Sequence, residues 1–506
     1  MIRLKISMAA AACLLPVAAV DAAPVFTPGN LVVSVEGNGV FGAASGAYTD
    51  NQASPLTLFQ YRPIGTSAAA YSSLLVLPQA ASGANYAFSA EYGSSSEGLL
   101  HLSGNGRYLT IAGYGINAAT FNANPAAYGT AFNDPTKPTA LAQSGSLTGQ
   151  SYVAVPRVIA LIGADGSIDT STALYNVFNG NNPRSVYTLD GSSFYVSGQG
   201  TSPDSTGGVF VAAKGATAAT PVTGNDTNGK TSAQDTRDVQ VYNGQLYVSV
   251  DSKEGSGSNR DFVGTLGAAG TLPTGLANTG NGPAMLPGFG NSGGTGKLVL
   301  TAATANGINA AGQEINLSPE GFFFANATTL YVADAGSPKN TSALNDAGGV
   351  GLGNGGLQKW VFSGGKWSLA YTLAAGLGLV PNTAAAGVTG LLGLTGQVVG
   401  GSVDLYATSY TIGDTDQTYL YGITDVLGAT TRPAGETFAT LAAAPADSTF
   451  KGVAFAPVAQ LVAPVPEPAT WLMILTGFGI AAAMIRTNPH GRPGRSVRAA
   501  RDGHSR

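Results

Sequence analysis

Cysteine is almost missing from this sequence, with one residue, Cys13, in 506. It lies inside an apolar leader, so the chain beyond the leader can form no disulfide and offers no thiolate to a metal. Histidine is nearly as scarce, at three. His490 and His504 fall in the C-terminal tail, and His101 stands between Leu100 and Leu102 on a stretch that reads as a structural strand. One histidine and no cysteine exclude the familiar zinc sites. Charged residues make up only 10%, too few to coat long surface helices. No Gly-x-Ser-x-Gly elbow, Walker loop or dinucleotide fingerprint occurs. The glycine clusters at 288–296 and 348–356 follow no convincing buried strand and read as loops.

Glycine, by contrast, is abundant at 71 residues, as expected of many short strands joined by turns. One stretch shows the pattern best: Ser318 to Asp334, SPEGFFFANATTLYVAD, reads as two strands around a turn. Its second half recurs as Arg107-Tyr108-Leu109-Thr110, Phe194-Tyr195-Val196-Ser197, Leu246-Tyr247-Val248-Ser249, Leu405-Tyr406-Ala407-Thr408 and, more loosely, Leu31-Val32-Val33-Ser34. Turn residues precede the copies, among them Asn105-Gly106, Asp190-Gly191, Asn243-Gly244 and Gly400-Gly401, and an apolar run precedes each turn. This is a hairpin signature repeated six times.

The chain divides into units of four strands around these hairpins. The second starts at Ser96 and contains a long Ala/Asn/Pro-rich loop, 117–150. Later units start near Pro183, Thr236, Pro319 and Leu391. A lone first strand, Phe450–Phe455, ends the series, whereas the chain after its leader begins on a second-type strand at Leu31. The two fragments complete each other. Radial repetition of four-stranded antiparallel sheets, with one sheet shared between the chain ends, is the β-propeller architecture, and it leaves no open ring edge. We expect an all-β fold of six blades over residues 23–460, or seven if 117–150 or 266–304 hides further strands. The uneven spacing of the repeats (76, 87, 52, 84 and 75 residues) speaks against a β-helix, whose coils are short and regular.

Both ends carry targeting features. Residues 1–22 have a basic start (Arg3, Lys5), an apolar middle and a Val20-x-Ala22 ending, and read as a cleaved signal peptide. At the other end, Val465-Pro466-Glu467-Pro468-Ala469-Thr470-Trp471 precedes an apolar run to Ile485 and then Arg486. This resembles the PEP-CTERM sorting signal of Gram-negative bacteria. The resemblance implies a sorting segment over 461–506: the motif at 465–471, a transmembrane helix at 471–485 and a basic tail at 486–506. It also implies an exosortase as processing partner, transient residence in the inner membrane, and a final place on the envelope surface or outside the cell. The tail after Arg486 is longer than is usual in that family.

Between the two ends stand 16 Lys and Arg against 26 Asp and Glu, a net charge of −10. Nucleic acid is therefore not an expected partner of the domain, since it requires basic patches.

Just before the innermost strand of successive units stand Glu97, Arg184, Arg237, Glu320 and Lys451, positions that crowd the mouth of a propeller's channel. They could hold an anion on the three cations and a metal or proton on the two glutamates, or simply neutralise one another, since buried charges persist only when paired. Ser-Pro-Glu-Gly at 318–321 and Phe-Lys-Gly at 450–452 resemble blade starts of phytase-like and esterase-like propellers, which implies a phosphate or metal site and a hydrolase reading. Asp226 in the 225–229 loop, with Asp414 and Asp416, has the oxygen-rich look of a calcium loop, though neither loop completes an EF-hand; calcium is the one cofactor these residues suggest. Three function classes stay open: a surface or extracellular-matrix binding protein with an exopolysaccharide or another surface component as partner, a hydrolase at the channel mouth, and a structural envelope component. The thin catalytic inventory favours the first.

Overall fold

Turn chemistry sets the strands. In the hairpin joining Thr236–Tyr242 to Gln245–Ser252, Tyr242 pairs directly with Gln245. The two residues between them, Asn243 and Gly244, have φ of 48° and 74°, the doubly positive turn that matches strand twist and that Asn-Gly tolerates. Ser363 and Lys366 close around Gly364 and Gly365 in the same way. The computed structural model describes residues 25–39, 47–129, 138–201, 204–224, 235–252, 260–277, 282–289, 297–336, 351–352, 354–381 and 384–459. The expected leader at 1–22, the sorting segment with Pro466, Glu467, Pro468, Trp471 and Arg486, and Asp226 all lie outside these residues.

The fold is all-β. In chain order, β1 (Leu31–Gly37), β2 (Ala53–Ile64) and β3 (Ala68–Val76) make a first sheet. The short β4 (Ser89–Glu91) follows. A second sheet is β5 (His101–Leu102), β6 (Tyr108–Tyr114), β7 (Arg157–Gly163) and β8 (Ile168–Leu174). The third is β9 (Pro183–Tyr187), β10 (Ser193–Gly198), β11 (Gly208–Ala213) and β12 (Thr220–Pro221), and the fourth is β13 (Thr236–Tyr242), β14 (Gln245–Ser252), β15 (Arg260–Leu266) and β16 (Ala284–Met285). A small mixed sheet contains β17 (Lys297–Val299) and β18 (Glu314–Asn316). The fifth four-stranded sheet starts with β19 (Pro319–Asn326) and β20 (Thr329–Asp334); β21 (Gly351–Leu352) joins the small sheet in parallel with β18. β22 (Gly356–Ser363) and β23 (Lys366–Leu373) complete the fifth sheet, and β24 (Val388–Val399), β25 (Ser402–Thr411), β26 (Tyr419–Val426) and β27 (Ala439–Ala443) form the sixth. Finally β28 (Ser448–Phe455) returns to lie antiparallel on β1, with Leu31 opposite Phe455 and Val33 opposite Val453, the pairing expected of the two end fragments.

Three details differ from the sequence reading. The loop at 117–150 holds a short helix, α1 (Ala118–Ala123), whose first turn is capped by the Asn117 side chain. The first two sheets are not separate, because β4 pairs with both β2 and β6 and fuses them. Part of the glycine-rich stretch 348–356 is strand, at Gly351–Leu352 and from Gly356 onward.

The innermost strands touch in a closed cycle, from β5 to β9, β13, β19, β24, β28 and back to β5. Small residues permit this approach. A Cβ on Gly452 would lie 2.2 Å from the Leu100 backbone nitrogen, and one on Gly321 2.8 Å from the Leu392 carbonyl. The apolar core fills the joints between successive sheets. Val32 and Leu58 meet Leu109 and Val158; Ile159 and Leu174 meet Val186 and Phe194; Val248 and Phe322 share one cluster, Tyr371 and Leu405 another, and Val33, Tyr406 and Leu441 a third. The inner strands are thus covered on both faces, and β1 and β7 are buried along their whole length, whereas the outer β3 is largely exposed.

The recurring second strand also carries a polar device. Its fourth residue is a hydroxyl in five of six copies, and each hydroxyl donates to a carbonyl at the inner rim of the next sheet: Ser34 to Gly98 (2.6 Å), Thr110 to Val186 (2.7 Å), Ser197 to Arg237 (2.6 Å), Ser249 to Glu320 (2.7 Å) and Thr408 to Lys451. The sixth copy has Ala333 there. At that joint the direction reverses, and Thr389 of β24 donates to Ala335 O at 2.9 Å.

Candidate functional site

The five charged residues singled out in the sequence are all buried; Arg184, Arg237 and Glu320 stand second in β9, β13 and β19, Lys451 lies midway along β28, and Glu97 precedes β5 by four residues. They do not form one constellation. Arg184, Arg237 and Glu320 make one group, in which Arg237 lies between three carboxylates: Asp235 (Nε to Oδ1, 3.4 Å), Asp251 (Nη2 to Oδ2, 3.4 Å) and Glu320 (Nη1 to Oε1, 3.3 Å). Asp235 also pairs with Arg184, whose other Nη donates to Gln199 Oε1 at 2.9 Å. Burial acts to lower the Arg237 pKa, but Asp235, Glu320 and Asp251 outweigh it and hold the guanidinium above its ordinary value. Arg184 moves the other way, lowered by burial and by the charge of Arg237.

Glu97 and Lys451 belong to a second group. Lys451 Nζ lies 3.6 Å from Glu36 Oε2 and donates to Ser94 O. Glu97 accepts from the Glu91 backbone N–H (2.6 Å) and from the Tyr114 hydroxyl (2.7 Å), and Glu91 Oε2 accepts from Ala142 N at 2.5 Å. Burial pushes Glu97 up to about 7, against the pull of Tyr114, the Glu91 amide, Lys451 and Arg157. Burial likewise raises Glu36 well above the carboxylate range, opposed by Lys451 and reinforced by Glu97 and Glu91. Arg157 is fully buried, 4.7 Å over the Tyr114 ring, and donates to the carbonyls of Ser144 (2.7 Å), Phe178 (2.8 Å) and Asn181 (3.0 Å). It pins the helix-bearing loop to the strand ends.

Between these groups opens a pocket of about 490 Å³, lined by residues that include Glu91, Ser94, Asn182, Arg184, Arg237 and Tyr410. The charges around it are largely paired: Asp235 is shared by Arg184 and Arg237, Asp251 and Glu320 pair with Arg237, and Lys451, outside the lining, pairs with Glu36. Serine hydroxyls and asparagine and glutamine amides supply the remaining polar lining.

His101 has company that the sequence did not reveal. Its Nε2 lies 3.0 Å from Ser185 Oγ and 2.7 Å from Asp238 Oδ1, and Ser185 donates to the same Asp238 oxygen at 3.0 Å. A nucleophilic triad needs the serine and the carboxylate on opposite ring nitrogens, with the serine proton aimed at the histidine. Here both meet Nε2, the hydroxyl points to the acid, and Asp238 Oδ2 is held by Gln240 (2.6 Å) and the Phe322 amide (3.2 Å). The trio ties β5, β9, β13 and β19 together at the centre of the cycle.

Asp416 closes its own turn, accepting from Gly387 N (2.9 Å) and Gly413 N (2.8 Å), while Asp414 sits in the same turn. No group of three or more acidic, histidine or cysteine ligands suited to a metal is present among the described residues. No helix among them is long and apolar enough to cross a membrane.

The site partners missed in the sequence are Glu36, Glu91, Asp235 and Asp251. The available signal was faint: Glu36 is the one charge in β1, next to its last residue, and Asp251 follows the Tyr-Val-Ser-Val run.

No family model matches the chain, and no curated protein matches it. Among solved structures, a nidogen/laminin complex chain aligns with a TM-score of 0.37 and 10% identity, covering 85% of this chain and 98% of its own. An ancestral GH74 enzyme aligns at 0.32 and 11%, covering 81% of this chain and 40% of that one. The N-terminal domain of Nup159 aligns at 0.27 and 8%, covering 69% and 79%. Likenesses this faint carry no argument about fold or activity, and the architecture rests on the strand pairing itself.

Proposed function

We propose that this chain is an exported, six-bladed β-propeller, sorted to the cell envelope surface by an exosortase, whose polar pocket binds a neutral, hydroxyl-rich ligand of the exopolysaccharide class. The six-blade reading is supported by the closed cycle of inner strands and by the β28–β1 pairing. Export and sorting are supported by the Val20-x-Ala22 ending and by the Pro466-Glu467-Pro468 motif with Trp471 and Arg486. The observation that carries the ligand class is the pocket's charge balance. Arg184 and Arg237 are already matched by Asp235, Asp251 and Glu320, so an incoming phosphate would have to displace buried partners. A sugar needs only the exchange of water for hydroxyl and amide partners.

Titration calorimetry with neutral oligosaccharides and with inorganic phosphate tests this. Saccharide binding that is lost in Asn182→Ala and Gln199→Ala is expected; phosphate binding alone would refute the ligand class. Intact mass of the cell-surface form tests the sorting: a chain that keeps residues beyond Arg486 in cells with an active exosortase would end that proposal.

A further inference from the structure

The joint between the fifth and sixth sheets is the one without the forward hydroxyl, since Ala333 stands in its place. It carries instead an ion pair with no exposure on either side: Lys359 of β22 and Asp425 of β26, with Nζ 2.8 Å from Oδ2. Nζ also donates to Tyr371 Oη (2.9 Å) and to Val426 O (2.7 Å). The Tyr371 hydroxyl donates to Asp425 Oδ1 at 2.7 Å, and the Tyr331 hydroxyl to Oδ2. A second acid stands alongside. Glu436, half-buried in the loop after β26, accepts a hydrogen bond from Val426 N at 3.2 Å and stands near enough to Asp425 and Lys359 for both to act on its carboxyl. The surroundings are apolar, with Leu357, Leu405 and Ile423 in the same cluster as the tyrosines.

We propose that Lys359 and Asp425 condense spontaneously into an intramolecular amide bond, with Glu436 relaying the proton and the two tyrosine hydroxyls holding the carboxyl oxygens. In dry surroundings the ammonium and carboxylate are both costly, and transfer of one proton makes a neutral amine beside a neutral acid. The amine lone pair then adds to Asp425 Cγ, one bond beyond the oxygen that Nζ already touches, and the C=O electron pair moves onto an oxygen held by tyrosine. Glu436 takes a proton from the nitrogen and returns one to the departing oxygen. Burial pushes Glu436 up to about 7, helped by Asp425, so it can hold a proton and release it near neutrality. The C–O bond breaks and water leaves. Ammonium plus carboxylate become amide plus water, with no oxidant or co-reactant. Two features drive the step: fixed reactants act at effective molarities of about 10⁵–10⁸ M, and the product is uncharged, which abolishes two buried charges. The bond would staple two sheets in a chain that has no cysteine beyond its leader.

Peptide mapping of the full-length purified chain, denatured and digested with trypsin after incubation near pH 7, decides the matter. Loss of cleavage after Lys359 and a branched peptide joining Lys359 to Asp425, lighter than its two parts by one water, are expected. Asp425→Ala should abolish that peptide. Glu436→Gln, which leaves both reacting residues in place, should slow its formation by about a hundredfold or more. Full cleavage after Lys359 and only linear peptides from the wild type after days of incubation would overturn the bond; equal rates in wild type and Glu436→Gln would overturn the relay.

Discussion

Arg237 is the residue on which the site turns, because three carboxylates converge on it and two of them, the buried Asp251 and Glu320, come from the far end of β14 and from β19. Arg237→Ala strands those charges away from water and should cost roughly 3–5 kcal/mol, read from urea unfolding. An unchanged midpoint would mean that Asp235 and Arg184 rearrange to take over. Glu97 makes the opposite kind of prediction. Its pKa is raised from 4.5 to about 7, so between those values the folded state holds a proton that the unfolded state has released. Stability from this group is fully present below about pH 4.5 and is lost as pH rises through 7. Glu97→Gln should therefore gain on the wild type between about pH 4.5 and pH 7 and level off above that; parallel melting profiles would count against the raised value. The five charged positions were legible because they recur at one place in a repeated unit. Their partners were not, since a carboxylate such as Asp235 or Glu36 is chosen by a neighbouring sheet and leaves no local mark in the sequence.

At the scale of elements, hairpins with Asn-Gly or Gly-Gly turns could be read directly, because turn type and strand twist are local properties. The β2–β3 hairpin could not. Its strands, ASPLTLFQYRPI and AAAYSSLLV, mix alanine and serine with no clean alternation, and no strong turn motif joins them. The helix α1 hid in an Ala/Asn-rich loop for a related reason: six residues are too short to show a helical period. Lys359 and Arg157 were missed as well, although each is the only charge in an apolar strand, a signal that a buried partner lies elsewhere. The fourth-position hydroxyls were visible as Ser or Thr in the repeat, but their role needed the neighbouring sheet. Ser197→Ala removes the donor from the fully buried Arg237 carbonyl and should cost about 1–3 kcal/mol. Hydrogen exchange should place the loosening mainly in β13 rather than in β10, the strand that was altered. Loss confined to β10 would show that the hydroxyl serves only its own sheet.

Over the whole molecule the first sheet is the joint on which the cycle depends, since three of its strands come from the start of the chain and one from the end. Deleting 450–457 removes β28, exposes the inner edge of β1 and breaks contact with both β24 and β5. A cooperative loss well beyond the ~1 kcal/mol of an average point change is expected; an unaltered melting temperature would show that five complete sheets hold their arrangement alone. The pairing has another consequence. Ala456 N donates to Asn30 O at 2.8 Å, so the first and last strands lie side by side, and the position at which the chain starts is a matter of bookkeeping rather than geometry. A gene rewritten to join 457 to 29 through a short turn, and opened instead at 214–216 between the third sheet's strands β11 and β12, would spell the same circle from a different point.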